Sequence, residues 1–568
     1  MTQAIRKTVP EPLAPVPFNI PQAFKTTLDN GLRIILFEDK RVPLVSYRLA
    51  FLCGDIHDPA DAIGITSAMA SMLTEGTQNY TSLALAEKIE RIGASLSANA
   101  SADFTAISAS ALSLYRDEVL HLIAEIIFHP TFPESELDLY RRNTIENLKF
   151  QRSQPGFLAN EQAARLVYGP HPYSRISPGA DDIQKLDRGA LQKFHEQTVV
   201  PNNALLIAIG DLDREEFLKQ VNDEFGGWQR RELDSPGLVQ IPKRSKRTLT
   251  IVDRPGSAQA NIVVANAALP RLDPDYFPVS VMNQILGAGA SSRVFMNLRE
   301  EKGYTYGAYT RFDMKMFAGD FEATAEVRTA VTGDSLKEFF YELDRIRNEK
   351  ATEEELDDAK NFLTGVFPIR AETQEGLTSL VVNQELYGLS DDYLQSYRDN
   401  INAVTLDDVL TAAKKYVRPD EAAIVIVGDA TEVLPQTREF ADDIEIFDTE
   451  GQPIDITSFE HTQVEETAKV SGTWELSLDF QGQLIPVTMQ LEQNDGRISG
   501  SLKTTLGSGT INDGQISGSK LKATSNVEIQ GQMVKLAITG AITKDSMTGA
   551  ISAPIVPSPL PFTGKKKS

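Results

Sequence analysis

The sequence predicts an α+β protein, in which two similar units of antiparallel sheet with packed helices precede a small all-β domain. The first observation is a repeat, because residues 201–211 and 419–429 are both buried strand patterns that end in Gly-Asp, 218 residues apart. The second is that strand and helix patterns alternate before each of these endings. The third is a change after Gly472, where polar and apolar residues alternate and Asn-Asp-Gly turns recur at 494–496 and 512–514.

In the first unit, runs of branched and aromatic residues predict strands, and apolar residues at a spacing of three to four predict helices. Residues 95–112 alternate in a way that suits two antiparallel strands. The predicted elements are strands at 32–37 and 45–52, helices at 64–73 and 82–92, the strand pair within 95–112, helices near 114–128, 134–151 and 190–198, and the closing strand within 201–211.

The second unit repeats this arrangement. It starts at 249–252 and includes a segment at 304–312, and its predicted elements are a strand at 260–265, helices at 276–286 and 292–301, a strand at 319–327, helices near 333–348 and 353–366, and the closing strand within 419–429. After Gly472, short strands at regular spacing predict a meander curled into a barrel or a sandwich.

These patterns divide the 568 residues into six segments. Five prolines make the beginning an extended arm, and three lysines near the end mark a tail that we expect to be disordered. The segments are the arm (1–22), a first α+β domain (23–235), a second α+β domain (236–445), a linker (446–470), the β-domain (471–553) and the tail (554–568).

Composition excludes several classes of function. The formal net charge of −23 argues against nucleic acid or an anionic membrane as the main partner. Cys53 is the one cysteine, so an intrachain disulfide is impossible, and its apolar neighbours predict a buried thiol. No signal peptide and no transmembrane segment are recognisable. We therefore expect a cytoplasmic protein, although a periplasmic protein with a trimmed N-terminus would look the same.

The sequence offers no recognisable catalytic motif of its own. None of the six histidines lies three or four residues from another, so the helical zinc motifs with two histidines are absent. A cysteine-based zinc site is impossible, and no Gly-x-Ser-x-Gly elbow or phosphate-binding lysine loop is present. The residues 287–289, Gly-Ala-Gly, precede a helix but lack the strand and the distal acid of a dinucleotide site.

One stretch, residues 286–309, combines a glycine loop with two hydrogen-bond donors. Gly287 and Gly289 predict a flexible loop before a helix that Gly303 ends. Arg299 and Tyr306 lie seven residues apart on either side of that end. Both side chains could donate hydrogen bonds to a carbonyl oxygen in one cavity. A surface arginine and a packed tyrosine would give the same sequence.

The same stretch resembles the pitrilysin-like metallopeptidases, in particular the two-subunit branch of the processing peptidases. The resemblance rests on the glycine loop, on Ser-Ser-Arg-Val-Phe at 291–295 and on Leu-Arg-Glu-Glu-Lys-Gly-Tyr-Thr-Tyr at 298–306. It extends over residues 26–430, with support from 64–77, from the Tyr-Gly-Pro-His-Pro-Tyr loop at 168–173, from 201–203 and from 225–228. The last 95 or so residues lie outside it.

This resemblance implies that the zinc chemistry of the family is lost here. Catalytic members carry His-x-x-Glu-His in the frame of residues 64–77, which places the two histidines at Ser67 and Ser71 and the base at Ala70. The third ligand falls at or beside Asn147, next to Glu146. Serine is a poor zinc ligand and alanine cannot activate water. We therefore expect this chain to bind no catalytic metal by itself.

The resemblance also implies a role that needs a second protein. Arg299 and Tyr306 match the family's Arg-Tyr pair, which contacts substrate backbone or the tetrahedral intermediate from the domain opposite the zinc. We therefore expect a non-catalytic subunit that pairs with a zinc-bearing homologue in a heterodimer, with zinc in that partner and a peptide or unfolded polypeptide as substrate. In this interpretation Gly287 and Gly289 form a substrate loop.

Two alternatives remain open from the sequence. The chain could be a peptide-binding or structural scaffold of the same family without a peptidase partner, or a hydrolase that uses other residues. The substrate, the partner and the role of the β-domain are not readable from the sequence.

Overall fold

The computed structural model describes residues 19–233, 236–460, 468–480, 483–494, 496–505, 507–529, 532–553 and 559–567. Most of the predicted N-terminal arm and His461 lie outside these ranges. The chain divides into two compact units between Ile456 and Thr457. The described residues contain no helix with the length and apolarity needed to cross a membrane.

The first half of the larger unit is built on a sheet whose described strands number six, in the order β1-β2-β6-β3-β5-β4. The strands are β1 (Phe24–Thr27), β2 (Arg33–Glu38), β3 (Leu44–Phe51), β4 (Ser95–Ala100), β5 (Thr105–Leu112) and β6 (Ala204–Gly210). The helices are α1 (Ile65–Met72), α2 (Ser82–Arg91), α3 (Arg116–Phe128), α4 (Glu134–Ser153), α5 (Pro155–Tyr168), α6 (Ala180–Lys185), α7 (Arg188–Thr198) and α8 (Arg214–Phe225).

The second half repeats the plan on a sheet of seven described strands, in the order β13-β12-β7-β11-β8-β10-β9. The strands are β7 (Thr248–Asp253), β8 (Gln259–Ala268), β9 (Thr305–Met314), β10 (Gly319–Arg328), β11 (Ala423–Gly428), β12 (Asp443–Phe447) and β13 (Pro453–Ile454). The helices are α9 (Tyr276–Leu286), α10 (Arg293–Phe295), α11 (Thr332–Asn348), α12 (Glu353–Glu372), α13 (Gln374–Leu386), α14 (Tyr393–Ala403), α15 (Leu406–Tyr416) and α16 (Ala430–Thr437).

The predicted duplication is confirmed strand by strand. The order β2-β6-β3-β5-β4 in the first sheet corresponds to β7-β11-β8-β10-β9 in the second, with the same directions. The α+β class is therefore correct, but the sheets are mixed and not purely antiparallel. The strands β6 and β11 each return after a long helical connection, and such a crossover lets them lie parallel to β2 and β7.

The two halves of this unit share their cores. Helix α5 of the first half buries Leu158 and Ala163 against Val263 and Val425 of the second sheet. In the other direction, the residues of α12 and α13 pack on the first sheet, where their cluster includes Phe367, Leu377, Val381, Ile35, Ile207 and Ile209. The predicted division at residue 235 falls outside the described ranges and inside one compact unit.

The smaller unit begins with α17 (Thr457–Glu460) and contains a closed antiparallel barrel, as the composition change after Gly472 predicts. Trp474 lies fully buried in it and donates its indole N–H to the carbonyl of Val470 over 2.9 Å. The described strands are β14 (Gly472–Phe480), β15 (Gln483–Asn494), β16 (Arg497–Thr504), β17 (Gly507–Ser517), β18 (Lys520–Ile529), β19 (Gln532–Thr543), β20 (Ser546–Ser552) and β21 (Leu560–Lys566).

Two predictions about the C-terminal part differ from the structure. The expected disordered tail includes β21, which pairs with both β14 and β20 and so closes the barrel. The sequence does not indicate this strand because Phe562 is the one residue that it buries, between Pro561 and Thr563. The predicted linker also contains strand β13 and the end of β12, which extend the edge of the second sheet.

Candidate functional site

Helix α1 contains three of the four predicted zinc positions, and a carboxylate fixes its beginning. Asp58 accepts hydrogen bonds from the backbone N–H of Gly64 at 2.6 Å and from the N–H and hydroxyl of Thr66 at 3.1 and 2.6 Å. Gly64 itself has φ +89°, a conformation that glycine adopts without strain. The buried Ala68 and Met72 anchor the helix in the core of the first half. The frame of α1 is thus held by capping and packing alone.

The four predicted zinc positions have different surroundings. The Ser67 hydroxyl donates to Oδ1 of Asp55 at 2.9 Å. Ala70 is fully buried, and Ser71 is exposed on α1. Asn147 is exposed on α4, which packs beside α1. Neighbouring Glu146 forms an ion pair with Lys149 at 2.7 Å.

These positions do not fit a zinc ion. None of the four supplies an imidazole or a carboxylate, which are the usual protein ligands of catalytic zinc together with thiolate. In the part of the chain that the structure describes, no three His, Cys, Asp or Glu side chains converge as a metal site would require. A base is also missing, because a buried methyl group stands at position 70.

Asp55 is a residue of this site that the sequence reasoning missed. It follows strand β3 in a short helical turn and accepts the hydrogen bond of Ser67. Burial raises the pKa of Asp55 to about 6, and the nearby Asp58 adds to the increase while the Ser67 hydroxyl opposes it. A carboxyl that directly follows a buried strand was the signal that could have identified it.

Ser67 and Asp55 line a cavity of about 310 Å³ that both halves of the larger unit enclose. From the first half come Asp55, Asp58 and Ser67, and from the hairpin of β9 and β10 come Arg311, Asp320 and Glu322. The Tyr-Gly-Pro-His-Pro-Tyr loop contributes Tyr168 and Tyr173 to the same wall. Neither Arg299 nor Tyr306 belongs to this lining.

Arg299 and Tyr306 lie on the surface on either side of a turn. Arg299 belongs to a π-helical turn, Met296–Glu301, which directly follows α10, and Gly303 at φ +62° ends it as predicted. Its guanidinium carbon lies 4.8 Å from the ring centroid of Phe295, and one of its nitrogens is 3.5 Å from a carboxylate oxygen of Glu300. The Arg299 side chain is 44% exposed. π-Helical turns are rare and occur frequently at functional sites.

Tyr306 is the most exposed large hydrophobic residue among those described, at 91%. It stands near the start of β9, two residues after Tyr304, and no hydrogen bond to its hydroxyl is found within the described ranges. The structure thus places the two predicted residues on the surface close together in sequence, without a bond between them.

The surroundings of Gly287 and Gly289 differ in how much room they leave for a side chain. A Cβ atom on Gly287 would lie 2.5 Å from the backbone nitrogen of Thr310, which is closer than real side chains approach. Gly287 also accepts a hydrogen bond from that nitrogen at 2.9 Å. A Cβ on Gly289 would meet the mobile end of Gln284. Close packing of α9 against β9 therefore accounts for Gly287, and a role in substrate binding stays a prediction.

Comparison with known proteins identifies the family. The family model described as "Insulinase (Peptidase family M16)" matches residues 33–173, and the one described as "Peptidase M16 inactive domain" matches residues 185–363. A Bacillus subtilis protein named "Uncharacterized zinc protease YmxG" is 23% identical over 404 residues, which cover 70% of this chain and 97% of that protein. The Helicobacter pylori "Non-peptidase homolog YmxG" is 24% identical over 406 residues, 70% of this chain and 91% of that one.

Solved structures agree. A peptidase M16 inactive domain from Pseudomonas fluorescens matches with a TM-score of 0.68 and 27% identity. The match covers 72% of this chain and 98% of that chain. A protease from Helicobacter pylori shares the fold with a TM-score of 0.68 at 19% identity, over 72% of this chain and 100% of that chain. The two family models together cover more than half of the sequence. The chain therefore belongs to the M16 peptidase family, the pitrilysin-like family that the sequence motifs predicted.

Proposed function

We propose that this chain is the non-catalytic subunit of a two-chain zinc peptidase and that it pairs with a zinc-bearing homologue. The observation that carries the proposal is Tyr306, whose side chain is 91% exposed on a chain with no zinc ligand at the family's zinc positions. Burial of a tyrosine ring in an interface is favourable, and such rings are enriched at interfaces. An exposed tyrosine beside an exposed arginine is therefore suited to contacts with another molecule.

The chemistry of the two side chains supports contacts with a peptide backbone. The Arg299 guanidinium is a donor of several hydrogen bonds, and the Tyr306 hydroxyl donates one. Both match the carbonyl oxygens of an extended peptide and the negative oxygen that develops during hydrolysis. Stacking on Phe295 at 4.8 Å restricts the guanidinium, so less conformational entropy is lost when a substrate binds.

The proposal requires a partner because this chain lacks the zinc ligands and the base that peptide hydrolysis needs. The positions of the two histidines and the base carry Ser67, Ser71 and Ala70, which cannot hold zinc or accept a proton from water. In the proposed heterodimer the homologue brings zinc and its base. This chain binds and orients the substrate with Arg299 and Tyr306.

The test is reconstitution of peptide hydrolysis from purified chains. The full-length protein is mixed with a zinc-bearing M16 homologue from the same organism, and cleavage of a quenched fluorescent peptide library is measured. We expect activity from the mixture and none from this chain alone. The combined Arg299→Ala and Tyr306→Phe variant should lower kcat/KM of the mixture by about 100-fold or more, the usual cost of a lost oxyanion donor. An unchanged rate with this variant contradicts the proposal.

Matched control variants test whether the loss of activity is specific to Arg299 and Tyr306. Arg328→Ala and Tyr341→Phe also remove an exposed arginine side chain and an exposed tyrosine hydroxyl. We expect both to leave the rate of the mixture unchanged. Native mass spectrometry of each mixture should detect the heterodimer in every case.

A second candidate is a peptide-binding or structural scaffold of the same family without peptidase activity. It is favoured by the Helicobacter pylori relative, which is named a non-peptidase homologue, and by the match to the inactive-domain model. Isolation of the protein from its native cells as a homodimer, with no zinc-bearing homologue attached, would support this alternative.

A further inference from the structure

The cavity between α1 and the β9–β10 hairpin carries an unusual concentration of charge. Five carboxyl groups and three cationic side chains line its volume of about 310 Å³. Its exposed rim includes Arg175 and Ile176, and its interior wall holds Asp320 and Glu322, which are only 4% and 3% exposed. Exposed and buried residues thus border the same space.

Three of the carboxyl groups already have partners. Asp58 caps α1 through Gly64 and Thr66, as described above. Glu322 accepts from Nε of Arg311 at 2.8 Å and lies 2.8 Å from its Nη2. Asp313 lies 2.5 Å from the ammonium of Lys315. These pairs account for two of the three cations, and the third, Arg175, is exposed at the rim.

The two remaining carboxyl groups of the cavity, Asp320 and Asp55, have neither an ion pair nor a helix-capping role in the described structure. Oδ1 of Asp320 is buried and finds no hydrogen-bond partner within the described part of the chain. Asp55 accepts one hydrogen bond, from the hydroxyl of Ser67. Buried carboxylates are costly unless they are hydrogen-bonded or paired with a cation. One carboxyl from each half of the unit is therefore short of donors in the same cavity.

The Tyr168 hydroxyl is hydrogen-bonded to Asp320, so Oδ1 is the oxygen of this carboxyl that lacks a partner among the described residues. Burial is the largest influence and raises the pKa of Asp320 to about 6; Lys315 and Arg311 oppose the increase, while Glu322 and Asp313 add to it. Lys315 is committed elsewhere, because its ammonium also donates to the Tyr168 hydroxyl at 3.2 Å and lies 5.4 Å from the Tyr173 ring centroid.

We propose that this cavity is a binding site for a small organic cation with a primary ammonium group, held by Asp320 and Asp55. An ammonium carries three N–H donors and one positive charge, which match the oxygens and the negative charge left over. The volume suits a small linear amine, because it lies at the lower end of the range for ligand pockets, about 300 Å³.

A metal ion fits the site less well than an amine. Hard cations such as Ca²⁺ take about six to eight oxygen ligands, and Mg²⁺ requires about six. No group of three potential metal-binding side chains converges among the described residues, including those of this cavity. The proposal concerns this cavity alone and is independent of the role of Arg299 and Tyr306.

Isothermal titration calorimetry of the full-length protein tests the proposal. The probes are putrescine, a linear diamine, and a blocked tetrapeptide with one lysine, so that a free amine and a lysine side chain are distinguished. Saturable binding of either probe is the expected result. The uncharged butanediol and Mg²⁺ should give no binding. Absence of binding by both amines, or binding of Mg²⁺ alone, overturns the proposal.

Variants locate the binding within the cavity. Asp320→Asn and Asp55→Asn keep the shape of the side chain but remove its charge, and each should weaken amine binding by about tenfold or more. Asp357→Asn, an exposed carboxyl on α12, is the matched control and should bind as the unaltered protein does. Thermal melts check that each variant is folded. Equal affinity in Asp320→Asn and the unaltered protein would contradict the assignment.

Discussion

The hydroxyl of Ser67 donates to the carboxyl of Asp55 at 2.9 Å, at the position where catalytic relatives are expected to carry a zinc-binding histidine. The helix that holds Ser67 keeps its glycine, its cap and its buried face. Its polar side chain is now part of a hydrogen-bonded cluster within the protein. The helix at the predicted zinc positions is therefore folded and carries a different local chemistry, and several measurable consequences follow from the cavity and its surroundings.

The substitution Asp320→Asn should change how stability depends on pH. Burial raises the pKa of Asp320 from its ordinary value to about 6. The stabilising contribution of the protonated form is complete below the unfolded pKa, near 4, and is lost as pH rises through about 6. Asparagine does not titrate. Relative to the unaltered protein, the variant should gain about 2 kcal/mol in unfolding free energy between pH 4 and pH 8.

Urea unfolding at a series of pH values measures this difference. Asp357→Asn on the surface of α12 should follow the unaltered protein throughout the series. A difference between Asp320→Asn and the unaltered protein that stays constant with pH would show that Asp320 does not titrate in this range.

Asp103 should be essential for the stability of the larger unit. It is 3% exposed and accepts hydrogen bonds from the hydroxyls of Tyr173 and Tyr387 and, at 3.0 Å, from the backbone N–H of Met316. It thereby links the first half to α13 and to the β9–β10 hairpin. Asp103→Ala leaves one buried and two half-buried donors without this acceptor, and we expect a loss of about 3 kcal/mol in chemical denaturation.

The variant Tyr387→Phe is the graded control for this prediction. It removes one of the three donors, whose oxygen lies 3.2 Å from the carboxylate, and should cost about 1 kcal/mol. If Asp103→Ala is no more destabilising than Tyr387→Phe, then Asp103 does not connect the elements in the way that we describe.

The two glycines of the predicted substrate loop should respond differently to alanine. A Cβ on Gly287 meets the backbone of Thr310, whereas a Cβ on Gly289 meets only the end of the Gln284 side chain. Gly287→Ala should therefore cost about 1–3 kcal/mol by overpacking. Gly289→Ala should be nearly neutral in the same denaturation experiment, and equal losses would disagree with the observed packing.

The sequence alone predicted those features that depend on local patterns. The paired Gly-Asp endings at 210–211 and 428–429 revealed the duplicated sheets, because buried strands of this kind are recognisable from apolar residues alone. The helix predicted at 64–73 was recognisable as well, and the assignment of Ser67 and Ala70 to zinc positions stays a prediction. The helix end at Gly303 was likewise recognisable from the glycine alone.

The features that were missed depend on long-range pairing. Asp320 lies in a polar-apolar strand pattern that does not reveal which face is covered, and only the packing of the Tyr168 loop and the β9–β10 hairpin buries it. Strand β21 differs from the predicted tail because barrel closure depends on β14, nearly 90 residues earlier in the chain. No local pattern predicts that α5 packs on the second sheet or that α12 and α13 pack on the first.

The most direct test of the central claim is the effect of Tyr306→Phe on catalysis by the reconstituted heterodimer. The substitution removes one exposed hydroxyl and keeps the ring, so the subunits should still associate with the same Kd in sedimentation experiments. We predict that kcat falls by about tenfold or more because a hydrogen bond to the developing negative oxygen is lost. An unchanged kcat, with the heterodimer intact, would contradict the assignment of Tyr306 to the partner's active site.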